Sequence, residues 1–316
     1  MKTTKSPGRY ACVLLDYWFK RTFGMEGRQR LLMLFLQEVI PEHKIASLTY
    51  APQEHENPHP DRKGIRVDVE CTDEDGTRFV VEMQLARQKH FYERALFNST
   101  FAIQEQMEVG RDSYDFSAVY FIGLMDFSLH DGSDRVLFRY DLREQTSGEL
   151  MTGRIQYIFL ELPNCRTVSP DSSVLEKFCY ALHNLEDLPG KPEGFEGELF
   201  RLLFETAEIA TFTPQEKIRL ENDMRTERDL RNQIAYARES GVEEGLARGR
   251  EEGREEGREE GREEGREEGR EEGREEGREE GREEERSRML AELRKQGVPE
   301  DVIARAVGAT KNEASG

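Results

Sequence analysis

Apolar residues recur at helical spacing from position 13 to 39, interrupted by Gly24-Met25-Glu26-Gly27 and closed by Pro41, which predicts two helices joined by a turn. Leu31, Leu32, Leu34, Phe35 and Ile40 make the second a well-buried one. A short strand over 45–51 precedes 52–62, a stretch with Pro52, Pro58, Pro60, His55 and His59 and no periodicity, which reads as a loop. The period then changes to two. Residues 65–71 and 78–85 read as strands joined through Thr72-Asp73-Glu74-Asp75-Gly76, whose Asp-Gly step signals a hairpin. A helix is predicted over 89–109, stopping at Gly110. The nearly continuous apolar run 118–127 has the pattern of a buried central strand. Strands over 136–142 and 155–162 suggest an edge hairpin or a sheet extension, and helical patterns resume over 173–185, 198–209 and 214–239.

The order helix, strand, hairpin, helix, strand predicts an α/β domain over 1–165, followed by a helical extension over 166–240. A repeat spacer over 241–285 and a small helical hairpin over 286–316 complete the expected division. Within the spacer, 251–282 holds eight copies of Glu-Glu-Gly-Arg. Each glycine costs a helix about 1 kcal/mol relative to alanine, and Glu with Arg three residues on returns a few tenths of a kcal/mol per pair. A period of four drifts by about 40° per repeat around a helix of 3.6 residues per turn, so no coiled-coil seam forms. The expectation is a solvated spacer, partly helical at most. Past it, Leu290, Leu293, Val302, Ile303 and Val307 are the apolar contacts of two short helices joined at Gly297. These form either a helix-turn-helix for DNA or a hairpin for self-association or capping.

Composition changes this picture in one respect. The hydrophobic fraction of 36% suffices for a packed core, yet charged residues reach 35% and mean hydropathy is −0.80. The repeat explains much of that, since its 16 Glu against 8 Arg carry −8 of the −19 net charge. The remainder is still acidic, which argues against a broad non-specific nucleic-acid surface and leaves room for a local basic face around an acidic metal site. Cys12, Cys71, Cys165 and Cys179 are dispersed and form no CxxC pair, as expected for reduced, structural cysteines of a cytosolic protein. Residues 1–10 lack an apolar run and no stretch approaches membrane-spanning length, so the reading is a soluble, intracellular protein.

The hairpin carries the candidate chemistry. Period two places Asp68 on the face opposite Val67 and Val69, and puts Glu82 and Gln84 together on one face of their strand. Across the ladder Asp68 and Glu82 come within about 5 Å. Two carboxylates at that separation repel unless a cation lies between them, and a hard divalent ion such as Mg²⁺ is the natural occupant. The alternative is a pair of solvent-facing charges on an antiparallel hairpin.

A set of ordered fragments goes further: Asp16-Tyr17-Trp18-Phe19-Lys20 with Phe23-Gly24, then 63–69 ending in Asp68-Val69, then Phe79-Val80-Val81-Glu82-Met83-Gln84. Glu93-Arg94-Ala95 follows, with Gln106 four residues before Gly110 and Tyr114 four after it. Over roughly residues 11–165 the chain thereby resembles the PD-(D/E)XK nucleases, and among them the transposase-associated, recombination-promoting nucleases. The resemblance implies an α/β restriction-endonuclease-like core, a mixed sheet flanked by helices, here followed by a helical region and a charged low-complexity tail. It also implies a bacterial, cytoplasmic DNA endonuclease dependent on Mg²⁺, with Mn²⁺ as the alternative ion, and linked to recombination.

Carried over by residue, Asp68, Glu82 and the Met83 backbone carbonyl are the implied metal ligands, and Gln84 stands where the superfamily has lysine. A neutral amide is neither a general base nor a cation, although it can orient a water. A weak or inactive nuclease-fold protein acting in DNA binding or assembly is therefore the other reading. Glu38 is a candidate additional carboxylate or a solvent-facing charge. Asp16 and Lys20, one helical turn apart, are site neighbours or a structural pair. Tyr92, Arg94, Asn98 and Gln106 offer polar groups towards DNA, Arg94 and Gln106 first among them, unless they only pack their helix onto the sheet. His55 and His59 lack a third ligand nearby, which favours a solvated loop over a metal site. Two strands to cut suggest a homodimer, and neither a membrane nor a small-molecule cofactor is expected.

Overall fold

The computed structural model describes residues 8–55, 64–107, 114–303 and 305. They belong to two units, 1–230 and 231–316. The first unit opens with α1 (Asp16–Phe23) and α2 (Gln29–Val39). Between them Gly24 donates its N–H to the Lys20 carbonyl at 2.7 Å, and Gly27 adopts the left-handed φ of 85° that the turn requires. Next come β1 (Leu48–Tyr50), β2 (Glu54–His55), β3 (Ile65–Arg66), β4 (Val69–Asp73), β5 (Arg78–Gln84), α3 (Phe91–Gln104) and β6 (Val119–Met125). The strands β7 (Leu137–Arg143) and β8 (Leu150–Glu161) are followed by α4 (Val174–Asn184), α5 (Glu198–Ala207) and α6 (Pro214–Lys295).

Six strands form a mixed sheet in the order β1-β4-β5-β6-β8-β7, while β2 and β3 pair separately. The hairpin β4–β5 is antiparallel, and β5, β6 and β8 run parallel, so their C-terminal ends share one edge of the molecule. On one face Trp18, Phe35, Phe178 and Phe200 from the helices pack with Val69, Val81, Ile122 and Leu160. On the other, Phe91 and Ala95 of α3 pack with Val80, Phe121 and Phe159. Burial on both faces explains why β6 reads as an unbroken apolar run. The α/β core with a mixed sheet flanked by helices is thus as expected.

Several details differ from the sequence reading. The strand expected over 65–71 is broken: the chain bends at Asp68, between β3 and β4. Val67 enters the α3-side core whereas Val69 enters the opposite one, although an unbroken strand would send both to one face. Asp68 is therefore at a crossing between the layers and not on the face opposite two valines. The loop expected over 52–62 contains β2, paired with β3.

The core also does not end at residue 165. Helices α4 and α5, and Leu220 of α6, bury their apolar stripes in the same cluster as α1 and α2. α4 starts with a capping box between Ser173 and Glu176. Arg21 fastens α1 to this layer: its Nε donates to Glu216 at 2.6 Å and its Nη1 to the Thr206 carbonyl at 3.0 Å.

In the second unit the repeat is helical throughout, where a partly helical spacer was expected. A Cβ at any glycine from Gly241 to Gly281 would meet no neighbouring atom within 4 Å among the described residues, so these glycines face open space. Gly297, at φ 76°, ends the helix, with Val298 N–H bonded to the Leu293 carbonyl at 3.2 Å in a Schellman-type closure. The joint expected at Gly297 is present, and residues 300–303 and 305 are helical beyond it. The expected contact Val307 lies outside the described residues. Among the described residues no helix is long and apolar enough to cross a membrane.

Candidate active site

The register of the hairpin sets Val69 opposite Val81, so Asp68 and Glu82 face one another at the position where the ladder stops. Bend and register together explain the site. Asp68 leaves the strand and its Oδ2 accepts the Met83 N–H at 2.9 Å, replacing the next ladder bond. The backbone of β5 alternates: Arg78 N–H and the Gln84 carbonyl bond towards β6 (2.8 and 2.9 Å), while Met83 N–H turns towards Asp68. The Met83 carbonyl, with the same parity, opens on that side too.

Because Asp68 lies between the layers, side chains from both reach the carboxylate pair. Lys20 of α1 places Nζ 3.4 Å from Asp68 Oδ1 and 2.7 Å from Asp16 Oδ1. From α3, Asn98 Nδ2 donates to Glu82 Oε1 at 3.4 Å and Arg94 Nη2 lies 3.7 Å from Glu82 Oε2. Asp16, Lys20, Arg66, Asp68, Glu82, Gln84, Arg94, Phe97 and Asn98, with Gly64 and Ile65, line one cleft of about 370 Å³. Among the described residues the Gln84 side-chain amide has no hydrogen-bond partner within the protein.

Glu82 is only 4% exposed. Burial, and then the neighbouring Asp68 carboxylate, push its acid form up to about 8, against the smaller pull of Arg94 and Lys20. Burial also raises Asp68, opposed by the Met83 N–H and by Lys20. A pair that holds a proton because its charges are crowded and desolvated is one that a cation would bind in place of that proton. The available donors are two carboxylates and a carbonyl, all hard oxygens that fit Mg²⁺ or Mn²⁺.

Of the expected site residues, Asp16, Lys20, Asp68, Glu82, Met83, Gln84 and Arg94 are thus gathered at one place. Glu38 is not: it is exposed near the C-terminal end of α2 and does not line the cleft. Gln106 is structural, its Oε1 accepting the Ser117 N–H at 2.8 Å and its Nε2 donating to the Ala102 carbonyl at 3.0 Å. Tyr92 packs edge-on against Tyr140 and Phe159. Arg66 and Phe97 were not singled out from sequence; only Arg66, two residues before Asp68 in a strand pattern, carried a signal.

His55 is not in a solvated loop. It is 6% exposed, with Nε2 2.7 Å from Glu70 and Nδ1 bonded to Glu105. These three bring ligand atoms within 4.8 Å of one another, but Arg78 already donates to Glu70 at 3.2 Å and to Glu105 at 2.6 Å. A guanidinium there supplies the positive charge that a metal would otherwise bring, and the cluster braces β2 against β4 and the end of α3. His59 lies outside the described residues.

Comparison with protein families matches residues 13–237 to the PD-(D/E)XK nuclease family transposases. That span runs past the resemblance seen at 11–165, in keeping with the core that α4 and α5 complete. No curated protein and no solved structure matches the chain. The gathered carboxylates, the mixed sheet that presents them and the length of the match lead to one statement of kinship: the chain belongs to the PD-(D/E)XK nuclease family transposases.

Proposed function

We propose that the cleft is the site of a metal-dependent DNA endonuclease acting in recombination or transposition. The observation that carries this reading is the carboxylate pair itself, the half-buried Asp68 facing the buried Glu82 across the end of the hairpin, with Glu82 pushed up to about 8. Asp68, Glu82 and the Met83 carbonyl would hold Mg²⁺ or Mn²⁺, which when bound polarises the phosphodiester and activates a water. Gln84, its amide without a hydrogen-bond partner among the described residues, orients that water by accepting a hydrogen bond from it. Asn98 holds the Glu82 carboxylate in place, and Arg94 and Arg66 add positive charge at the cleft for the DNA backbone. Cutting both strands calls for two such sites, hence a homodimer on the duplex.

Conversion of supercoiled plasmid in Mg²⁺ by wild type and by Asp68→Ala tests the assignment. Nicking by the wild type and its loss in the variant is the expected outcome; equal conversion by both discards it. A second reading, a nuclease fold that binds DNA or assembles without cutting, is favoured by the amide at Gln84 and by the −19 net charge. It predicts DNA binding by both proteins and cleavage by neither.

A further inference from the structure

Gln84 leaves the site without the cation that the nuclease motif usually carries on that residue, yet the same cleft holds an ammonium 3.4 Å from Asp68. Lys20 comes from α1, on the opposite side of the sheet from α3, and it reaches the cleft only because the bend at Asp68 opens the strand to both layers. Its side chain is 17% exposed, and it is held by Asp16 at 2.7 Å and by Asp68 at 3.4 Å. Asp16 is largely exposed, so the pair does not fill an interior vacancy. Each metal-site carboxylate thus has its own side-chain cation, Lys20 beside Asp68 and Arg94 beside Glu82.

We propose that Lys20 is a catalytic residue that takes over the task of the missing motif lysine, contacting the scissile phosphate from α1. This rests on the endonuclease reading for the reaction but not for the contact. In the reaction a water oxygen bonds to phosphorus, the phosphorus–oxygen bond to the leaving strand breaks, and the proton lost by the water ends on the leaving oxygen. Lys20 stabilises the charge that builds on the non-bridging oxygens, a task for a compact, hydrated point charge. The side-chain position at Gln84 and the ammonium of Lys20 line the same cleft, so a lysine at either position serves the same phosphate.

The test uses the full chain, with Lys20→Gln and the double variant Lys20→Gln, Gln84→Lys, both checked for unchanged melting and Mn²⁺ binding. In Mg²⁺, Lys20→Gln should lose about 100-fold or more in kcat/KM, and the double variant should recover a measurable part of it. With Ca²⁺ in place of Mg²⁺, affinity for a short DNA duplex is followed against salt. The slope of log K on log[salt] should be shallower for Lys20→Gln by about 0.9, the loss of one phosphate contact. A retained slope overturns the assignment, and so does a double variant no better than the single one. A wild type that never cuts DNA, with the slope still reduced by Lys20→Gln, would sink the endonuclease reading and leave the phosphate contact standing.

Discussion

Gln106 and Glu82 are both polar and partly or fully enclosed, but their surroundings give them opposite meanings. Gln106 is bonded at both ends of its amide, so Gln106→Ala strands the Ser117 N–H and should cost about 1–3 kcal/mol in denaturant unfolding. Metal and DNA binding should be unaffected. Glu82 is enclosed without a full set of partners. Its folded value of about 8 lies above the roughly 4.3 of an unfolded glutamate. Between those values the folded chain keeps a proton that the unfolded chain has released, so the stability due to this group falls as pH rises from about 4.3 through 8. Metal-free Glu82→Gln should therefore match wild type near pH 4 and melt higher at pH 8.5, by about 2–4 °C per kcal/mol relieved. Calorimetry at the two pH values decides it, and equal melting at both would refute the proton on Glu82. At this scale spacing and residue type were enough to bring Asp68, Glu82 and Gln84 into one cleft. The sequence failed for His55, because nothing local announces that Glu70 and Glu105 converge on it and that Arg78 binds both.

Helices and strands were mostly foreseen from periodicity, since each presents one apolar stripe or alternating face. What periodicity omits is which stripe meets which. The helices α4 and α5 looked like an appendage because their partners, Trp18, Phe35 and Val69 among them, are far away in the chain. Phe178→Ala should cost about 3–5 kcal/mol, as for other large core truncations. It should lower the single unfolding transition of the whole first unit; a separate, earlier transition for α4 and α5 would show them to be independent. The break at Asp68 was invisible for a different reason: Val67 and Val69 satisfy a continuous period of two whether or not the chain turns between them. Only the packing of the two valines into different cores exposes the bend, and that bend gives the cleft access to both helical layers.

For the molecule as a whole, charge and repetition were the plainest features and the least informative about chemistry. The repeat carries its glycines along a helix on which they touch nothing. Replacing Gly261, Gly265, Gly269 and Gly273 by alanine should stabilise the helix by about 1 kcal/mol per site. Circular dichroism should show its thermal fading moved to higher temperature with the first unit's transition in place. An unchanged curve would mean that helix propensity does not govern this segment. The first unit is organised by longer reach. Arg21, the residue after Lys20, is tied to Glu216 across a separation of 195 positions. A lesion at Glu216 would therefore loosen the seat of α1 and let the Lys20 ammonium drift from its place in the cleft while Asp68 and Glu82 stay where they are. Such a variant would mimic an active-site mutant in turnover, yet load its ion normally, and a survey confined to the motif would never implicate it.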